Sequence, residues 1–256
     1  LNSSSGSNLD THLLKGLNIS GVPKKLKNTI FPFEYNDFKN LERIIKYKNI
    51  GVIKMEVCRN TQPNISFLNK VRRLATQNNI VLIFDECTTG FRESFGGLHK
   101  ETGVKPDMVI FGKALGNGYA ITAILGTDAV MDSVKKTFIS STFWTERIGP
   151  VAALKTLEIM EREKSWDKIT EIGESMKIKW QGLADQFELK IKHFGLNALA
   201  GFSFDSVDTL KYKTLITQEM LSKGYLASNS FYACTKHTTE HVNGYFDNLE
   251  PIFKTI

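Results

Sequence analysis

Cysteine is scarce in this sequence: three in 256 residues, at positions 58, 87 and 234. Three thiols cannot make a disulfide framework, and reduced cysteines in a cytoplasmic protein are the simpler reading. No apolar run is long enough to span a bilayer, and no signal peptide is visible, so no membrane partner is expected. A basic tract is also missing. The formal net charge is +6, yet lysines such as Lys177 and Lys179 are scattered along amphipathic segments. That charge suits anionic small molecules or a phosphorylated cofactor, and with no recognition module in view no nucleic acid is expected as partner. His99, His193, His237 and His241 show no metal-ligand grouping with the cysteines, so no metal is expected. No G-x-G-x-x-G follows a first strand and opens a helix, which disfavours a nicotinamide enzyme. No internal repeat is present.

What the chain does contain is an alternation of apolar strands and amphipathic helices. Residues 1 to about 30 are polar and weakly periodic, so loop-rich. Asp37 then caps a helical pattern with Phe38, Leu41, Ile44 and Ile45 on one face. "GVIKMEV" (Gly51–Val57) reads as a short strand, and a helix follows from about Ser66 with Phe67, Val71 and Leu74 inward. "IVLIFDE", "DMVIFGK" and "AITAILG" are three further strands. The pattern predicts an α/β fold with a mostly parallel sheet covered on both faces. Residues 149–164 predict a long connecting helix. Trp166, Ile169, Ile172, Met176, Trp180, Leu183 and Phe187 then form a helix stripe that belongs in a core. Strands at Leu189–His193, Ala198–Phe204 and Tyr225–Ala227, a helix from about Asp208 to Gly224, and a last helix after Thr238 that Pro251 should bend or end make a smaller α+β domain. The expected division is 1–150 and 151–256.

In sheets of this kind ligands sit beyond the carboxyl ends of the strands. Three predicted strands end there on reactive groups: Glu56, Asp85-Glu86 and Lys113. "GKALGNG" adds glycines at 112, 116 and 118. An aspartate and a lysine converging on one crevice suit pyridoxal phosphate chemistry. The lysine amine forms a Schiff base with the aldehyde, and the carboxylate keeps the ring nitrogen protonated so that the ring can act as an electron sink.

"MEVCRN", "FLNKVRRLATQNNIVLIFDECTTGFR", "GVKPDMVIFGKALGNGYAITAILG" and "STFWTERIGPVAALKTLEIM" resemble class III pyridoxal-phosphate-dependent aminotransferases, in the branch of glutamate-1-semialdehyde 2,1-aminomutase. The resemblance runs from about Gly21 onward and implies a type I transferase fold: part of the large cofactor domain, then a small C-terminal domain. It implies pyridoxal 5'-phosphate as cofactor, an amino donor and a small carbonyl acceptor as substrates, and a homodimer with a site shared between subunits. Lys113 matches the Schiff-base lysine, which would also shuttle a proton between cofactor and substrate carbons. Asp85 matches the partner of the ring nitrogen, and Glu86 its companion acid, with a structural role. Cys87 falls where the family packs an apolar group on the ring face, and behaves as a small hydrophobe. Thr142 matches the residue that reaches the cofactor phosphate of the neighbouring subunit. Arg59 and Asn60 lie where the family holds the ring hydroxyl or a substrate group, or in a solvated loop. Glu56 matches the acid of a Glu-Pro pair, with Val57 in place of proline.

Family members are longer at the amino end, where they carry a phosphate-cradling loop and the aromatic that stacks over the ring. Here the chain opens with Leu1, and "SSSGSN" reads as a linker. The expectation is therefore the C-terminal part of such an enzyme. Amino-group transfer is the leading reading. An intramolecular 2,1-aminomutase uses the same chemistry, though the "TFWTERIGP" segment favours an aminotransferase acting on a biosynthetic intermediate. A truncated non-catalytic homologue kept for dimerisation or interaction is the reading from another class. A sugar aminotransferase of the related fold would lack the D-E-x-x-x-G-F-R signature.

Overall fold

The structure of the protein is a computed structural model that describes residues 18–62, 64–139 and 145–256. These residues form two compact units. One comprises residues up to Ile53 with Asn64–Ile80, the other residues 54–62 with Val81–Ile256.

Two helices dominate the smaller unit. Helix α1 (Phe38–Tyr47) starts where the Asp37 side chain accepts the Asn40 amide, and α2 (Ile65–Gln77) where the Asn64 side chain accepts the Phe67 amide. Each cap satisfies a donor that a helix start leaves unpaired. In α2 the buried positions are Phe67, Leu68, Val71 and Ala75, with Leu74 only half-buried.

The larger unit carries the strand ends. Strands β1 (Val52–Glu56), β2 (Val81–Asp85), β3 (Met108–Phe111) and β4 (Ala123–Gly126) hydrogen-bond in that order. β2 and β3 run parallel, with Asp85 opposite Ile110. β4 returns antiparallel to β3, with Phe111 opposite Ala123. The chain between β3 and β4 holds a single 3-10 turn at Lys113–Leu115, too little for the crossover that a parallel neighbour needs. The α/β class expected from the pattern is the class observed, as a mixed sheet.

Helices α5 (Ile148–Glu163) and α6 (Ser165–Gln186) are separated by Lys164, whose φ of 48° breaks the helical run. (The short helices α3, His99–Thr102, and α4, Asp128–Met131, precede them.) On α6 the expected stripe is the inward one: Ile169, Met176, Trp180 and Leu183 are buried. Met176, Trp180 and Leu183 pack on β6 (Leu199–Phe204), the centre of an antiparallel sheet with β5 (Ile191–Phe194) and β7 (Ser230–Tyr232), and on α7 (Thr209–Ser222) and α8 (Thr239–Phe253), while Ile169 packs with Ala198 and Ala233. The Trp180 indole N–H donates to the Tyr245 hydroxyl at 3.0 Å, so two buried polar groups satisfy each other. At Gly173 a Cβ would run into the Asn197 carbonyl, which fixes glycine where α6 meets the turn before β6.

The strand expected at Tyr225–Ala227 is not formed; β7 begins at Ser230. The Tyr225 amide returns to the Met220 carbonyl at 2.9 Å, and Gly224 takes φ +85°, so this stretch is used to leave α7. Leu226, 96% exposed, has no sheet to pack on. Pro251 lies in the last turn of α8, which stops two residues later. At the other end, the Thr238 hydroxyl accepts the His241 amide while the His241 ring accepts the Thr238 amide, a capping box. Thr238→Ala should lower stability by about 1 kcal/mol in urea denaturation, with the slope unchanged. No helix among the described residues is long and apolar enough to cross a membrane.

Candidate active site

Asp85 closes β2 and is aimed by two contacts. Its Oδ1 accepts the Cys87 amide at 3.1 Å, and its Oδ2 lies 2.9 Å from the Lys54 ammonium on β1. Burial pushes the carboxyl up, but the Lys54 cation and the Cys87 amide outweigh it and hold Asp85 below the usual carboxylate range. It is an ionised, oriented carboxylate at neutral pH.

Glu86 points the opposite way. It is fully buried and accepts from the Thr89 hydroxyl at 2.6 Å, the Leu98 and His99 amides at 2.9 Å each, and approaches the His99 Nδ1 at 2.8 Å. Burial raises this carboxyl as well; the bonds from His99, Thr89 and Leu98 more than offset it and leave it depressed. Glu86 therefore ties the strand end to the loop that leads into α3, and it exposes nothing to a ligand.

Lys113 follows β3 through Gly112. A Cβ at Gly112 would press on the Cys87 sulfur at 3.3 Å, so the backbone passes close to that thiol. Lys113 itself holds φ +43°, a left-handed conformation uncommon for a residue with a side chain and one that collects at functional sites. The strain is held by the 3-10 turn that follows: the Gly116 and Asn117 amides both return to the Lys113 carbonyl, at 3.1 and 3.0 Å. A Cβ on Gly116 would strike the Tyr119 carbonyl, so the turn closes only with glycine there. The result is an exposed primary amine whose Nζ donates to the Thr88 hydroxyl at 2.6 Å.

Cys87 sits among these groups. Burial and the Asp85 carboxylate raise its thiol, and Lys113 and Lys54 partly counter them, so it is a neutral, half-buried thiol. Cys58, buried and donating to the Thr61 carbonyl at 3.2 Å, is pushed up to about 11, first by burial and then by Glu93. Neither thiol has the depressed pKa of a reactive cysteine.

A cavity of about 580 Å³ opens beside Lys113. Arg92, Asn117, Tyr119, Thr156 and Ala233 are among its lining residues. Arg92 brings a guanidinium whose buried Nε has no hydrogen-bond partner among the described residues. Arg59 and Asn60 are elsewhere in use or exposed. Arg59 pairs with Glu56 at 3.1 Å, and the Asn60 carbonyl accepts the Gly195 amide at 3.4 Å. Thr142 lies outside the described residues. No cluster of three His, Cys, Asp or Glu side chains suited to a metal ion occurs among the described residues.

Three polar contributors escaped the sequence reading: Lys54, Thr88 and Arg92. Lys54 had a signal, a charge in the middle of the run "GVIKMEV", two residues before Glu56. Thr88 and Arg92 sit inside the signature itself, where nothing in spacing marks one polar residue above another.

The donor set fits pyridoxal phosphate on two counts: an accessible amine for its aldehyde, and an ionised carboxylate for its ring nitrogen. The model of the family "Aminotransferase class-III" matches residues 60–231. A 3-aminobutyryl-CoA aminotransferase from Cloacimonas acidaminovorans is 34% identical over 236 residues, covering 86% of this chain and 56% of that protein. A glutamate-1-semialdehyde 2,1-aminomutase from Sulfolobus acidocaldarius is 38% identical over 151 residues, covering 56% of this chain and 36% of its own length. Among solved structures, the FumI protein of Sphingopyxis sp. MTA144, in its PLP internal aldimine form, superposes with a TM-score of 0.81 at 20% identity, over 86% of this chain and 56% of that one. The chain thus spans about half the length of relatives it matches, or less.

Proposed function

The chain belongs to the class III aminotransferase family, and from that premise we propose that it is the Lys113-bearing part of an enzyme that moves an amino group between an amino donor and a small carbonyl compound. The observation that carries the reading is the pairing of an exposed, conformationally strained lysine with an ionised aspartate at the ends of two adjacent parallel strands. When bound, pyridoxal phosphate supplies an aldehyde that captures amines and a cationic ring that withdraws electrons.

The protein's part is to position and to move protons. Lys113 Nζ would be the point at which the aldehyde is held, and as a free amine it would accept and return a proton. Thr88, its hydrogen-bond partner, sets the direction of the amine. Asp85 would hold the ring nitrogen in its cationic form and Cys87 would pack near the ring face, while Glu86 fixes the loop from within. By the family resemblance Arg59 and Asn60 would serve the ring hydroxyl or a substrate group, Arg59 only by leaving Glu56, and Thr142 the phosphate across a subunit boundary. A homodimer is supported by the apolar side chains on α5: Ile148, Val151 and Leu154 are each more than 60% exposed. The division at residue 150, with the cofactor domain before it and the small domain after, and a cytoplasmic setting for the three free thiols belong to the same reading.

A 2,1-aminomutase is the second reading, favoured by relatives of that name, and needs only that donor and acceptor carbons lie on one molecule. The purified chain, loaded with pyridoxal phosphate and given small amino donors, should release the matching carbonyl compound in an amount limited by the chain. Turnover should resume when a carbonyl acceptor is added, the pattern of a two-stage transfer. Donors left untouched throughout would favour a non-catalytic dimerisation module.

A further inference from the structure

β1 carries a lysine at its centre, between Ile53 and Met55, and its ammonium lands on the carboxylate assigned above to the ring nitrogen. Lys54 Nζ lies 2.9 Å from Asp85 Oδ2, while Oδ1 is taken by the Cys87 amide. Both oxygens of Asp85 are therefore engaged. The side chain of Lys54 is 56% exposed and that of Asp85 21%, so water can receive the ammonium more readily than the carboxylate can turn away.

We propose that Lys54 is a positioning residue for Asp85: a stand-in cation that occupies and aims the carboxylate until a cationic ring nitrogen displaces it. This rests on the assignment of Asp85 to that nitrogen. Two geometries are open to the incoming cation. Sharing Oδ2 would put two positive charges within about 4–6 Å of each other at a partly buried carboxylate, a repulsive arrangement. Displacement gives up one ion pair whose lysine is more than half exposed, an interaction of modest worth. Displacement wins, and the lost pair is a modest penalty on cofactor affinity.

Affinity for pyridoxal phosphate, read by absorbance titration of the full chain, tests this without any turnover. Lys54→Met and Lys54→Gln should each bind about two- to fivefold more tightly than the wild type. Agreement between them separates loss of charge from a packing change. In the Asp85→Asn background the gain should vanish, since the cycle then has no pair to break. Unchanged or weaker binding in both Lys54 variants, or a gain that persists without the Asp85 carboxylate, overturns the displacement while leaving Asp85 in its role. Asp85→Asn binding as well as the wild type, or no saturable binding by any variant, overturns the assignment of Asp85 itself, and the displacement falls with it.

Discussion

Lys113→Ala should lower amino transfer by at least about 100- to 10,000-fold, the range for loss of a positioned proton carrier, and should abolish covalent capture of pyridoxal phosphate. The argument is local. Lys113 is the only group in the turn after β3 with a nucleophilic nitrogen, and its Nζ is exposed and held by Thr88. Alanine removes that nitrogen and also keeps the strained φ of +43° with no function to justify it. Secondary structure and urea midpoint should change little, because the Lys113 side chain is exposed and packs in no core. Rapid single-turnover transfer from an amino donor, followed as release of the carbonyl product, is the measurement. Wild-type rates in the alanine variant would move the chemistry to another amine.

The largest stability effect should come from Glu86→Ala, at about 3–5 kcal/mol. The carboxylate is buried, and removing it leaves the Leu98 and His99 amides and the Thr89 hydroxyl without their acceptor. The same group sets an acid limb. Its folded pKa is depressed, so its contribution is fully present above the ordinary carboxylate pKa and is lost as pH falls through the lower folded value. Denaturant titrations below about pH 4.5 should show the wild type losing stability faster than Glu86→Gln, which carries no ionisation there. Parallel acid limbs in the two proteins would mean that the Glu86 carboxylate is not the group responsible.

Much of this architecture could be read before any coordinates, and the reasons differ by element. The α6 stripe was legible because a period of three to four survives only when one face is buried, and Trp180, Met176 and Leu183 are that face. The strand end at Asp85 was legible because the apolar run stops abruptly at charge; the strand expected to reach Lys113 stops at Phe111, and Lys113 opens the 3-10 turn beyond it. The Tyr225–Ala227 stretch misled because aromatic and apolar residues look alike in a helix exit and in a strand; a single amide returning to Met220 decided between them. The structural role expected for Glu86 was legible, but its partners, the Leu98 and His99 amides, are ones that no spacing rule brings to it. Lys54 is the clearest case. Its charge was visible in the sequence, but its meaning came only from the sheet order, which puts β1 beside β2.

The most direct test of the central claim is to mix the purified chain with pyridoxal phosphate, reduce with borohydride, and map the modified peptide by mass spectrometry. The account predicts one dominant adduct, on Lys113, absent from Lys113→Ala and weakened in Asp85→Asn. An adduct spread over the surface lysines, or none at all, would contradict it.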